Sequence, residues 1–229
     1  MNVITPTPAS RRVFLRYAGA TALSATVLLE ACKNDDTTTT PTPTAAAVNL
    51  GSGDFGILNY AYALEQLEAA FYTQVIMTPF TGITDAERAI LTDLRDHEIV
   101  HREFLKTALG TNAIPGLTVN FQSINFTDRA SVLNTARTFE DLGIAAYNGA
   151  GRLIKDVNYL LVAGKIVSVE ARHAAAIRDL LSPKTAAFAG DDVVTVANGL
   201  DGALLPAAVL PLVQPFVVNA ISGANLPTA

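Results

Sequence analysis

The residue pattern with the clearest chemical potential is Glu-x-x-His, which occurs twice in this chain, at Glu98–His101 and at Glu170–His173. Each copy lies in an apolar stretch with helical periodicity, and residues three apart on a helix share one face. Each pattern therefore places one carboxylate beside one imidazole. Two such helices, together with one Glu from each of two more, build a carboxylate-bridged two-metal site inside a four-helix bundle.

An internal repeat indicates which two glutamates complete the set. Glu65 is followed seven residues later by Tyr72, and Glu140 is followed seven residues later by Tyr147. A Glu-x-x-His pattern then begins 33 residues after Glu65 and 30 residues after Glu140. The chain thus resembles two copies of one helix hairpin, each with the order Glu, Tyr, turn, Glu-x-x-His.

The cost of burying charge is the physical reason to expect metal ions at these carboxylates. Glu65, Glu140 and Glu170 lie in apolar stretches, and an unpaired carboxylate facing a core costs several kcal/mol. Coordination to two divalent cations removes that cost. Four carboxylates and two imidazoles suit iron, with manganese as the alternative, and the lack of Cys ligands argues against structural zinc. The other interpretation is a relic bundle in which these residues form a hydrogen-bonded polar core without metal.

Four segments have the periodicity of long amphipathic helices, at residues 54–77, 85–109, 128–149 and 155–181. Thr84 and Glu87 predict a capping box for the second helix, Gly110 predicts its C-terminal cap, and Thr127 is the expected N-cap of the third. Short turns join the helices within each pair. The pairs are separated by residues 111–126, which when extended span more than about 50 Å. Two hairpins and a long crossover predict an all-α, ferritin-like four-helix bundle.

The motifs together resemble the ferritin-like superfamily, in particular the bacterial ferritin-like domain proteins that also include plant desiccation-related proteins. The resemblance covers residues 54–182 and, more loosely, the C-terminal tail. It implies that the lone glutamates are terminal ligands or chelates, that the glutamate of each Glu-x-x-His bridges two irons, and that each histidine binds one iron. The implied metal ligands are Glu65, Glu98, His101, Glu140, Glu170 and His173.

Residues beside the ligands are assigned less directly. Many relatives carry an Asp immediately before the motif glutamate, where it holds the opposite histidine, but this chain has His97 and Val169 at those places. Helix geometry points His97 away from the ligand face, so we expect it to be exposed. Tyr72 and Tyr147 either hydrogen-bond ligand carboxylates, act as redox-active phenols or pack in the core. Glu68 is a candidate third-metal or transit ligand, although an exposed position is the simpler expectation.

Composition and the terminal segments bound the class of protein. The chain has 229 residues, 50% of them hydrophobic, and a net charge of −5, which suits one domain and argues against a nucleic acid partner. Arg11 and Arg12 lie in a pattern that resembles a twin-arginine export motif, and Cys32, the only cysteine, lies in a sequence that resembles a lipidation site.

These features divide the chain into four parts. Residues 1–32 are expected to be an export and lipoprotein signal segment, and residues 33–53 a disordered tether rich in Thr and Pro. Residues 54–182 are expected to be the bundle. Residues 183–229 form an apolar extension, expected to pack on the bundle or in the subunit interface of a homo-oligomer, since its prolines argue against a spanning helix.

The leading functional hypothesis is a di-iron protein of the cell envelope that faces the periplasm or the cell surface, binds Fe(II) and reduces O₂ or hydrogen peroxide. Such a protein is a ferroxidase-like oxidoreductase that acts in oxidative stress. The alternatives are a non-enzymatic metal-binding or desiccation-protective lipoprotein, and a structural lipoprotein with a vestigial site. Lipid on Cys32 would be the contact with the membrane.

Overall fold

Four long helices dominate the computed structural model of this chain, which describes residues 46–228. They are α1 (Gly53–Met77), α2 (Asp85–Leu109), α3 (Arg129–Gly151) and α4 (Val157–Leu181). The first packs mainly on the second and the third mainly on the fourth, and residues 110–128 cross between the two hairpins. The predicted ferritin-like bundle is therefore confirmed. Arg11, Arg12, Cys32 and most of the predicted tether lie outside the described residues.

The α1 helix is buried on almost every side, from Gly56 to Ala69. A helix that is apolar all round belongs in the interior of a domain. Its sequence fits that position, since large side chains such as Tyr60, Phe71 and Tyr72 are no more than 1% exposed. The polar side chains that α1 carries in this stretch are therefore buried with it.

Capping residues set where the helices begin. The predicted capping box of α2 is present, because the Glu87 N–H donates to Thr84 Oγ1 and the Thr84 N–H donates to Glu87 Oε2. The cap of α3 is Asp128 rather than the predicted Thr127, since the Asp128 carboxylate accepts from two N–H groups of the first turn. Asp is also preferred over Thr at the N-cap position.

The start of α4 also differs from the prediction. It begins at Val157, two residues after the predicted Lys155, with Asp156 as the N-cap. The carboxylate of Asp54 accepts hydrogen bonds from the backbone N–H groups of Lys155 and Asp156. Those two residues are thus held as a link between the hairpins instead of as the first helical turn.

The ordered domain begins before the predicted boundary at residue 54. Strand β1 (Val48–Asn49) pairs in parallel with β2 (Ile221–Ser222), and Leu50 is fully buried. The last part of the predicted tether is therefore built into the fold, because it contributes both backbone hydrogen bonds and an apolar side chain.

The C-terminal extension lies against α3, and only part of it is helical. Its short helix α5 (Pro206–Val213) buries Val209 and Val213. Just before it, the Leu204 N–H donates to the carbonyl of Ala145 at 2.8 Å. A Cβ on Gly149 would lie 1.9 Å from the Leu204 carbonyl oxygen, so only glycine permits this approach. No helix among residues 46–228 is both long enough and apolar enough to cross a membrane.

Candidate metal centre

All six predicted ligands meet in the middle of the bundle. Each helix contributes from its interior face: α1 and α3 one glutamate each, α2 and α4 one Glu-x-x-His pair each. The carboxylates of all four glutamates are at most 1% exposed, and His101 is the most accessible member, with 13% of its side chain exposed. Because all six side chains lie on interior helix faces, water has little access to the ligand atoms.

Two groups of ligand atoms share two glutamates. One group consists of Glu65, Glu98, His101 and Glu170, and the other consists of Glu98, Glu140, Glu170 and His173. Within each group, the ligand atoms lie within 4.8 Å of one another. Glu98 and Glu170 belong to both groups, so the glutamates of the two Glu-x-x-His motifs are the residues that two cations at this site would share.

The donor atoms are close together but do not hydrogen-bond to one another. His173 Nδ1 lies 2.7 Å from a Glu98 oxygen and 2.9 Å from a Glu170 oxygen, and His101 Nδ1 lies 2.8 Å from the other Glu170 oxygen. Among residues 46–228, both histidine Nδ1 atoms and six oxygens of the four glutamates are buried without a hydrogen-bond partner. Buried polar atoms normally have partners. Atoms that converge on common points in this way fit two bound cations.

The electrostatics of the site follow from burial and close contact. Burial alone would raise the pKa of Glu98, but the contacts with His101 and His173 lower it to about 2. Burial raises the pKa of Glu140 to about 8. For His101, burial acts to lower the pKa, but the surrounding carboxylates Glu170, Glu65 and Glu98 raise it to about 12. The cluster therefore binds protons strongly, and a metal ion has to replace them.

Each of the two repeated tyrosines donates a hydrogen bond to a ligand glutamate of the other hairpin. Tyr72 of α1 donates to Glu140 of α3 at 2.5 Å, and Tyr147 of α3 donates to Glu65 of α1. Burial, followed by the repulsion of the carboxylate that each contacts, raises the pKa of both phenols. Both stay protonated donors. Each tyrosine holds one oxygen of a terminal carboxylate and leaves the other oxygen directed at the centre.

His97 is exposed as expected, but it does not point away from the site. Its Nδ1 atom lies 2.9 Å from Nε2 of His173, the histidine of the opposite hairpin. If Nδ1 of His173 binds a metal ion, its Nε2–H donates to His97, and a second partner of this kind orients a ligating imidazole. The signal in the sequence was the position of His97, immediately before the motif glutamate. Val169, at the equivalent place in α4, has no side-chain donor or acceptor to offer His101.

The expectation that Glu68 is exposed was wrong. Glu68 is only 4% exposed, because α1 is buried on almost every side along this stretch. Its carboxylate lies against Gly143 of α3, where an added Cβ would be 3.1 Å from Glu68 Oε1. Burial and the nearby carboxylates, Glu98 foremost, raise its pKa well above the ordinary value.

Comparison with known proteins agrees with this geometry. A family model described as the ferritin-like domain matches residues 53–183, which is more than half of the chain and includes all six candidate ligands. No match was found among curated proteins. The fold, the convergent carboxylates and the family match lead to one conclusion: the chain belongs to the ferritin-like domain family.

Proposed function

We propose that this protein is an envelope-anchored di-iron carboxylate protein that binds Fe(II) and reacts with O₂ or hydrogen peroxide. The observation that carries the proposal is the set of buried, unpartnered donor atoms contributed by all four helices. Buried polar atoms without hydrogen-bond partners cost free energy, which the close His–Glu pairs offset in part and bound cations would offset further. A ferritin-like bundle with this cluster fits a di-iron protein.

The charges of the ligand set support two divalent cations. Four ionised carboxylates and two neutral imidazoles carry four negative charges, which two divalent ions neutralise. Glu98 and Glu170 would be shared between the ions, in keeping with their place in both groups of ligand atoms. Oxygen-rich sites with imidazoles suit iron or manganese.

The residues of this chain divide the work of such a site. The two histidines and the terminal carboxylates would fix where each ion lies, while Tyr72 and Tyr147 restrain Glu140 and Glu65. The surrounding apolar core excludes water. Bound Fe(II) would supply one electron per ion to reduce O₂ or hydrogen peroxide, and a position at which the oxygen species could bind.

Anaerobic loading with Fe(II), followed by exposure to O₂, tests this function. We expect a near-ultraviolet ferric absorption to appear as O₂ is consumed. Glu98→Gln should abolish both signals, whereas Glu103→Gln, which alters an exposed glutamate on the same helix, should not. Tight binding of iron with no oxygen consumption would instead favour the metal-binding or protective function.

The envelope location is supported by Arg11, Arg12 and Cys32 in the sequence. Lipid on this cysteine would hold the protein at a membrane, with the bundle outside the cytoplasm. Metabolic labelling with a radioactive fatty acid and membrane fractionation test this part. We expect label and membrane association in the parent and loss of both in Cys32→Ser; an unlabelled parent in the soluble fraction would contradict it.

A further inference from the structure

The two halves of the site differ at one layer, next to the metal ligands. Glu68 lies three residues after the ligand Glu65 and therefore on the same face of α1. Gly143 lies three residues after the ligand Glu140, at the equivalent place on α3. Because Gly143 has no side chain, its space is open to the Glu68 carboxylate. One half of an otherwise repeated site thus carries an extra acid.

Glu68 faces a cavity as well as the ligands. A cavity of about 720 Å³ lies between α3 and the C-terminal extension, and Glu68 and Gly143 both line it. Most of the wall is apolar, including Leu64, Phe139 and Leu212. Glu68 is the acid of this wall that comes from the buried helix α1, and the residue is only 4% exposed.

The Glu68 carboxylate has no hydrogen-bond or ion-pair partner among residues 46–228. By contrast, Asp141 and Asp192 of the same cavity are paired with Arg178, at 2.7 and 2.8 Å. The neighbours that act on Glu68 are the acids of the centre itself. A buried carboxylate in such surroundings is stabilised by a cation. Asp201 also lines the cavity but is exposed, whereas Glu68 both lines the cavity and lies near the carboxylates of the centre.

We propose that Glu68 is an additional cation-binding position through which divalent ions pass from this cavity to the two-metal centre. The inference rests on the proposed metal binding and adds its route. Glu68 would act in transfer and not as a resident ligand, because Glu65, Glu140 and the two Glu-x-x-His pairs already complete both groups. Because Gly143 stands at the place equivalent to Glu68 in the other hairpin, ions would enter from the Glu68 side of the centre only.

Co(II) uptake by the full-length protein tests the proposal, since the visible absorption of Co(II) reports binding without any redox reaction. Uptake rates come from stopped-flow mixing, and the final content from elemental analysis after gel filtration. Glu68→Gln removes the charge at constant shape. Gly143→Ala keeps the charge but places a methyl group against the carboxylate. Glu103→Gln is the matched control at an exposed site.

We expect Glu68→Gln and Gly143→Ala to load at least about tenfold more slowly than the parent, because a focusing charge is lost or displaced. Both should still hold about two ions per chain at equilibrium. Uptake by Glu68→Gln at the parental rate would overturn the route, and so would a content of about one ion, which would make Glu68 a resident ligand. A parent that takes up no Co(II) would overturn the proposed metal binding itself.

Discussion

At the scale of single residues, each terminal carboxylate is held by a tyrosine from the other hairpin. Tyr72 contacts Glu140 and Tyr147 contacts Glu65, so each phenol fixes a ligand on a helix that is not its own. The buried phenols stay protonated and donate to these carboxylates, since their pKa values are raised. A restrained carboxylate loses less conformational entropy when it binds an ion.

Replacing either tyrosine should therefore weaken metal binding. For Tyr147→Phe we expect the affinity for Co(II) to fall by about 10–100-fold, the usual effect of removing a group that orients a ligand. Tyr72→Phe should behave alike, because the two contacts are equivalent in the repeat. Titration with Co(II) measures the effect, and Tyr159→Phe, near the start of α4 and against Phe55, is the control. Unchanged affinity in both variants would show that the tyrosines only fill space.

A similar argument applies to His97, which contacts Nε2 of His173. We expect His97→Ala to reduce the affinity for one of the two ions by about 10–100-fold. His97→Asp, which restores an acceptor, should retain most of the affinity. Val169→Ala, at the equivalent place on α4, should have no effect. If His97→Ala binds both ions as the parent does, the contact has no role in positioning His173.

The metal ligands were predictable from the sequence, but their neighbours were predictable only in part. Glu-x-x-His and the repeat depend on spacing along one helix, which the chain itself displays. The position of His97 depends on which helix lies opposite, and this is a property of the bundle. The burial of Glu68 depends on how α1 packs inside the bundle, where Gly143 of α3 leaves room for its carboxylate. Neither follows from local periodicity.

Metal binding should also depend on pH. The carboxylates raise the pKa of His101 to about 12, and burial raises the pKa of Glu140 to about 8, so both groups hold a proton at pH 7. Both must lose it to bind an ion, so affinity should rise as the pH rises toward 8, with at least about two protons released per chain. Calorimetry in buffers of different ionisation enthalpy measures this number. A heat of binding that is independent of the buffer would contradict it.

At the scale of secondary structure, capping residues position the helices that carry the ligands. The α2 helix was predicted at the bounds observed, because its capping box and its terminal glycine are local signals. The starts of α3 and α4 shifted by one or two residues, since Asp128 competes with Thr127 and Asp54 binds the chain from another hairpin. The Asp128 cap is a local signal, whereas the contact of Asp54 with Lys155 joins residues that are distant in sequence.

Glu87 joins the cap of α2 to Arg129 of α3, so its charge should stabilise the fold in a pH-dependent manner. Burial alone would raise its pKa, but hydrogen bonds from Thr84 and Arg129 lower it below the ordinary value of 4.5. The stabilisation is thus present above pH 4.5 and is lost as the pH falls through the lowered pKa. Glu87→Gln should cost up to about 1 kcal/mol at pH 7 and almost nothing in strong acid.

Denaturant unfolding of the parent and of Glu87→Gln across this range, in the presence of a chelator, checks the prediction. Thr84→Ala is the companion variant and should cost about 1 kcal/mol at neutral pH. A cost for Glu87→Gln that stays constant from pH 7 into strong acid would mean that the charge does not stabilise the fold.

At the scale of the whole molecule, the centre requires both hairpins. Each group of ligand atoms takes residues from both hairpins, and the bridging glutamates come from α2 and α4. Of the seven glutamates in the described residues, only Glu103 is exposed, and the others stabilise a cap or surround the centre. The repeat predicted this pairing, but it did not predict how closely the C-terminal extension approaches Gly149, which depends on contacts distant in sequence.

Metal content per chain is the most direct test of the central claim, which is that the four helices jointly bind two ions. The protein, produced with iron in the medium, should contain about two iron ions per chain by elemental analysis. Glu98→Gln and Glu170→Gln, which remove a shared ligand from either hairpin, should each lose both ions, and Glu103→Gln should keep them. A parent without metal, or variants that retain the full content, would contradict a two-metal centre at these residues.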